Sequence, residues 1–200
     1  GIGMASALAV LADDSVEHGP LEVLLTMTEE AGMDGAFSLQ ANWLQADILI
    51  NTDSEEEGEI YMGCAGGIDF ISTLPLSREA IPAGFQTFKL TLKGLKGGHS
   101  GGDIHLGLGN ANKLLARFLA GHAAELDLRL VDFNGGTLRN AIPREAFATV
   151  AVPAAKADEL KKLSTVYLDI LKNELSAKEK NLTVVLESVS TDKAALTVQS

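Results

Sequence analysis

The chain changes character once along its length. No lysine or arginine occurs before Arg78, and the first 77 residues hold fourteen aspartates and glutamates, while the remainder carries all sixteen bases and thirteen acids. A surface with one sign of charge has no ion pairs to knit it together, so its carboxylates stand in water or face a cation. A shift of this kind separates domains, and the expected division runs between residues 1–66 and residues 67–200. The net charge of −11 offers too little positive charge to neutralise a phosphate backbone, which excludes nucleic acid as the expected partner. Cations suit the chain better.

Apolar residues make up 46% of the 200, enough for a packed core. The longest apolar stretch, Met4 to Ala12, is broken by Ser6 and stops at Asp13. It falls well short of the roughly 18 residues that a membrane-spanning helix requires, so no membrane is expected as a partner. The chain opens on Gly1, without the charged start and cleavage site of a signal peptide, and reads as an internal piece of a longer protein. Cys64 is the one cysteine, so no internal disulfide can form and a reducing, cytoplasmic compartment is expected. The default for such a residue is a small buried hydrophobe.

Residues 2–12 (IGMASALAVLA) are good helix formers with apolar positions nearly all round, which predicts a buried helix. Residues 21–28 (LEVLLTMT) and 46–51 (ADILIN) are short apolar runs that suit strands covered on both faces, with a weak helix over 36–44 between them. Helix, strand, helix, strand with short links predicts an α/β unit around a parallel sheet, where ligands gather beyond the carboxyl ends of the strands. From about Gly66 the grammar becomes alternation. Residues 85–94, 126–133, 146–152 and 182–189 read as half-exposed strands, and 106–120 and 154–174 as helices. That order, strand, helix, strand, strand, helix, strand, is the one found in a ferredoxin-like α/β sandwich.

Three carboxylates follow the two apolar runs: Glu29 and Glu30 in TEEAG, and Asp53 in NTD. Metal-assisted hydrolysis needs ligands held rigidly, plus one carboxylate free to take a proton from bound water. Adjacent glutamates leaving a strand in opposite directions could divide those tasks. Two exposed glutamates in a loop fit the same spacing. Other features carry no chemistry. Residues 54–59 lack the ligand pattern of a calcium loop, Gly1-Ile2-Gly3 lacks the rest of a nucleotide fingerprint, and Ser6, Ser54 and Ser100 lack a nucleophile-elbow setting. His18, His105 and His122 match no ligand motif.

Four motifs in order, TEEAG, NTD, GLKGGHSGG and GGTLRNAIPREA, resemble the M20 family of dinuclear metallopeptidases. The wording of LLTMTEEAGMDGA and ILINTDSEEEGEIYMG is similar to its branch acting on Xaa-His dipeptides, and the resemblance spans the chain. It implies an α/β fold class: part of a phosphorylase/hydrolase-like catalytic sheet in residues 1–66, and the first portion of a ferredoxin-like βαββαβ lid domain in residues 67–200. It also implies roles. Glu29 matches the general base that activates metal-bound water, Glu30 the carboxylate ligand of one metal and Asp53 that of the other, the cofactor being two divalent ions, zinc by expectation. His99, in GGHSG, matches the lid histidine that binds substrate and steadies the oxyanion, and Asn140, in RNAIP, a residue of the substrate pocket. The other ligands are expected outside residues 1–200, so that this chain alone would be inactive. The implied partners are a small peptide substrate, an Xaa-His dipeptide, and a second copy of the chain in a homodimer through the lid. Two rivals stand beside this reading: another M20-type amidohydrolase, an aminoacylase or deacetylase sharing the same site residues, and a non-catalytic ferredoxin-like dimerisation module whose exposed strand edges pair.

Overall fold

The computed structural model describes every residue except 55, 65, 69, 199 and 200. The chain divides into two units, Gly1–Phe70 and Ile71–Ser200. In the first, the Ala- and Leu-rich opening forms α1 (Ile2–Ala12). Its apolar residues run all round the helix, the pattern of a covered element, yet none of them is buried. The expected helix is present but uncovered. A Cβ on Gly3 would overlap Thr52, so the missing side chain lets residue 52 lie against the helix. The helix stops at Asp13, whose carboxylate accepts from Ser15 N at 2.9 Å. α2 (Asp34–Phe37) is a single turn, shorter than the helix expected over 36–44; Asn42, with φ at 65°, leaves the helical path.

The two apolar runs do not become strands. Neither residues 21–28 nor residues 46–51 join a ladder, and the parallel sheet expected in 1–66 is absent among the described residues. What joins the runs is Glu22, whose Oε2 accepts from the N–H groups of Gln45 at 2.7 Å and Ala46 at 2.8 Å. A doubly covered strand needs hydrogen-bonded neighbours along its edges and a layer on each face. Neither surrounds these runs: Ile48, Leu49 and Ile50 are 80%, 81% and 78% exposed. Cys64 is exposed as well, against the expectation of a buried thiol. It lies where Ile60 and Met62 are also exposed and no regular element supplies cover.

In the second unit the alternating segments do form strands. In chain order come β1 (Arg78–Glu79), β2 (Phe85–Lys93), β3 (Gly98–His99), α3 (Ala111–His122), β4 (Arg129–Gly135), β5 (Ala141–Ile142), β6 (Ala146–Pro153), α4 (Ala157–Leu175), β7 (Thr183–Ser188) and β8 (Ala195–Leu196). Four of these make one antiparallel sheet in the order β4-β6-β2-β7, and β1-β8 and β3-β5 form two short ribbons. With α3 and α4 the main sheet has the β-α-β-β-α-β order expected.

Register explains the core. Across the two central strands Phe88 pairs with Val150, Leu90 with Ala148 and Leu92 with Ala146, large beside small, all buried. The small residues of β6 leave depth for Leu115, Phe118 and Leu119 of α3 and for Leu160, Tyr167 and Leu171 of α4, which complete the same cluster. Each such Leu or Phe contributes roughly 1.5–3 kcal/mol by leaving water. α3 begins at Ala111, five residues later than expected. Asn110 caps it, its Oδ1 accepting from Lys113 N at 3.1 Å, and residues 104–106 form instead a separate 3-10 turn closed by Gly107 at φ 63°.

β4 departs from even alternation. Leu130 pairs with Val150 and Asp132 with Thr149, leaving Val131 as an extra residue in a bulge. Leu130 and Phe133 pack on the helix-side core, whereas Val131 is buried on the opposite face with Ala151 and Ala195, against Ile81 and Phe85. The Val131 carbonyl accepts from Arg78 Nη1 at 2.8 Å.

The Tyr167 hydroxyl ties the two helices together. It donates to Leu114 O at 2.7 Å and accepts from Arg117 Nε at 2.9 Å; burial raises the phenol above its ordinary value. Tyr167→Phe should lower unfolding free energy by about 1–2 kcal/mol in urea denaturation, because both bonded partners lose a mate. Glu174→Ala should cost less than about 1 kcal/mol, since the Arg117–Glu174 pair, 2.8 Å long, is nearly half exposed at both ends.

Candidate active site

Glu29 and Glu30 occupy a tight turn between Thr28 and Met33. Ala31 N and Met33 N both donate to Thr28 O, at 3.1 and 2.7 Å, and Thr28 Oγ1 accepts from Asp34 N at 3.1 Å. Thr28 sits at φ 57°, a conformation costing a β-branched residue about 1–3 kcal/mol, and these bonds hold it there. Gly35 allows the turn to close, for a Cβ there would lie 2.5 Å from Met27 N. Both glutamates are exposed as a result. Asp53 is exposed too, its N–H donating to Asn51 Oδ1 at 2.9 Å in an Asx turn. Carboxylate oxygens suit a divalent cation in kind. Among the described residues, however, no three His, Cys, Asp or Glu gather closely enough to hold one. Glu55 of the acidic run 54–59 lies outside the described residues.

In the second unit, backbone pairing brings His99 and Asn140 together. His99 pairs with Ala141 across the β3-β5 ribbon, and Ser100 N donates to Asn140 O at 2.8 Å. Asp103 closes the loop from below: its Oδ2 accepts from His99 N at 2.8 Å and its own N–H donates to His99 O at 3.0 Å. Gly101 N and Gly102 N then donate to His99 Nδ1, at 3.1 and 3.0 Å. A ring nitrogen that accepts two N–H groups carries no proton in the neutral imidazole, so the proton sits on Nε2. The exposed ring therefore offers a hydrogen-bond donor. The glycines that do this are the second pair in GGHSGG, and they, with Asp103, are partners of His99 that the sequence reading did not single out. A glycine pair just after a histidine is their only sequence signal.

Ala141 and Ile142 of the ribbon line an open cleft of about 520 Å³, bordered also by Ser100, Asn112, Thr137 and Arg139; His99 and Asn140 are not among its lining residues. Asn112 Nδ2 donates to Gly135 O at 3.1 Å, while its Oδ1 is buried without a partner. Gly135 is confined by this side chain, since a Cβ there would overlap Asn112 Oδ1. Of the expected site residues, then, the structure joins His99 and Asn140 through their backbones and places Glu29, Glu30 and Asp53 in exposed turns of the other unit.

Residues 90–179 match the peptidase dimerisation domain of the M20 family. Across all 200 residues the chain is 81% identical to a cytosol non-specific dipeptidase of Escherichia coli (strain K12), spanning 41% of that protein's length. It is also similar to the crystal structure of an aminoacylhistidine dipeptidase from Vibrio alginolyticus, at 61% identity and a TM-score of 0.74, covering 98% of this chain and 40% of that one. The matched stretch includes the end of β2, His99, α3, β4, Asn140, β6 and α4. Among the described residues no helix is long and apolar enough to cross a membrane.

Proposed function

We propose that this chain is part of a cytosolic metallodipeptidase hydrolysing Xaa-His dipeptides. The observation that supports it most is the 61% identity over nearly the whole chain to a solved aminoacylhistidine dipeptidase. In this reading Glu30 and Asp53 would each hold one of two divalent ions, zinc by preference, with the remaining ligands supplied from outside residues 1–200. When bound, the ions would polarise the scissile carbonyl and acidify the attacking water. Glu29 takes a proton from the attacking water and returns it to the departing amine. His99 donates from Nε2 to the oxyanion, its ring held by Gly101, Gly102 and Asp103, and Asn140 borders the substrate beside it. Residues 67–200 act as the first portion of a lid. The match to a dimerisation domain supports a homodimer formed through that lid.

The two relatives carry different names, one a non-specific dipeptidase and one an aminoacylhistidine dipeptidase, so the test is a panel. The protein, at the full length of its relatives and loaded with zinc, is incubated with carnosine-type and other Xaa-His dipeptides, with dipeptides lacking histidine, and with N-acetylated amino acids. We expect chelator-sensitive release of free histidine with a kcat/KM at least about tenfold above that for the other dipeptides, a preference of about 1.4 kcal/mol. Faster cleavage of the acetylated amino acids would replace this reading with the aminoacylase one.

A further inference from the structure

Glu179 is the single buried charged side chain among the described residues, 3% exposed. A carboxylate taken from water is costly unless its oxygens are bonded, and both are. Oε2 accepts from Lys96 N at 2.8 Å and Oε1 from Gly109 N at 2.9 Å. These two amides bracket residues 97–108, the segment that carries His99 together with Gly101, Gly102 and Asp103. The preceding residue adds a third tie, Lys178 Nζ donating to Leu106 O within the same segment. The anchor itself is firm: Glu179 N donates to Leu175 O at 2.9 Å, at the end of α4. Gly109 completes the fit, because a Cβ there would lie 2.8 Å from Leu95 Cδ2 and 3.4 Å from Glu179 Oε1.

An apolar residue would fill this space without the cost of burying a charge. A carboxylate does something different: it accepts two charge-assisted bonds in a fork and so fixes the separation of two chain segments. We propose that Glu179 is a positioning residue, which pins both stems of the 97–108 segment and thereby holds the His99 imidazole with Nε2–H presented outward. The consequence for turnover rests on the role of His99 given above; the positioning does not.

The test uses Glu179→Gln in the full-length, zinc-loaded protein. Glutamine keeps the shape but sets an NH2 donor against one of the two backbone N–H groups, releasing one stem. We expect kcat for Xaa-His hydrolysis to fall about tenfold to a hundredfold, the loss typical of a misplaced catalytic group, with KM changing far less. Two readouts do not depend on activity. The ¹⁵N signals of the His99 ring should leave the Nε2–H pattern for a mixture of tautomers, and amide exchange should quicken within 96–109 while β2, β6 and β7 keep their protection. Unchanged ring signals, or exchange rising evenly through the sheet, would overturn the proposal. So would failure of this near-isosteric variant to fold cooperatively, which would make Glu179 a folding residue. If the unmodified protein cleaves no dipeptide, the proposed function fails, and the ring signals and exchange still decide the role of Glu179.

Discussion

If Glu29 is the general base of the proposed dipeptidase, replacing it by glutamine in the full-length protein should leave metal content unchanged and lower kcat about a hundredfold to ten-thousandfold, the range over which loss of a general base is felt. The amide preserves the size of the side chain and its place in the Thr28–Met33 turn, so the turn's hydrogen bonds, made by backbone atoms, Thr28 Oγ1 and the Asp34 carboxylate, are untouched. What it loses is the ability to accept a proton. Because that ability counts only in the transition state, KM should stay nearly constant. Metal content by elemental analysis and steady-state kinetics on one Xaa-His dipeptide check both halves of the expectation. Unimpaired turnover would remove Glu29 from the role, and parallel loss of metal would make it a ligand.

The second large effect is on stability. Phe118 is 1% exposed on the inner face of α3, its ring centroid 5.2 Å from that of Tyr167 and 5.0 Å from that of His122. Phe118→Ala removes the transfer energy of the ring and leaves a cavity between α3 and α4 that rigid neighbours only partly fill. The expected cost is about 3–5 kcal/mol, a large share of the roughly 5–15 kcal/mol that stabilises a domain. Urea unfolding followed by circular dichroism should show the midpoint falling with little change in slope. Ile48→Ala is the contrast. With 80% of its surface already in water, that isoleucine should cost less than about 0.5 kcal/mol.

The two units were not equally legible, for a physical reason. Around β2 and β6 the side chains alternate between a wet face and a packed one, and this period survives in the sequence; these two strands start where alternation starts, whereas β4 starts only at Arg129. The short ribbons β1-β8 and β3-β5 are two residues long, too brief to show any period. In residues 1–66 the apolar runs state only that they seek cover. Whether such a run becomes a strand depends on neighbours that its own letters do not specify. Glu179 was invisible for another reason: it stands between Lys178 and Lys180, a pattern that normally marks a solvated stretch. Only the fold shows its side chain turned inward to two amides. His99 and Asn140, by contrast, are expected from the motifs around them, and the β3-β5 ribbon brings their backbones together although they lie far apart in the chain.

The bulge in β4 sets how the strand can change length. From Leu126 the inward positions run 126, 128 and 130, then skip to 133, so the count of residues between Leu130 and Phe133 is two where regular pairing needs one. Removing one residue elsewhere in the strand would send every later side chain to the wrong face. Removing Val131 would restore strict alternation and keep Phe133 against the helices, at the expense of the small outer cluster and the carbonyl that holds Arg78. The β4 reading frame therefore has one built-in point of slack, and it lies where two faces of the sheet are both being filled.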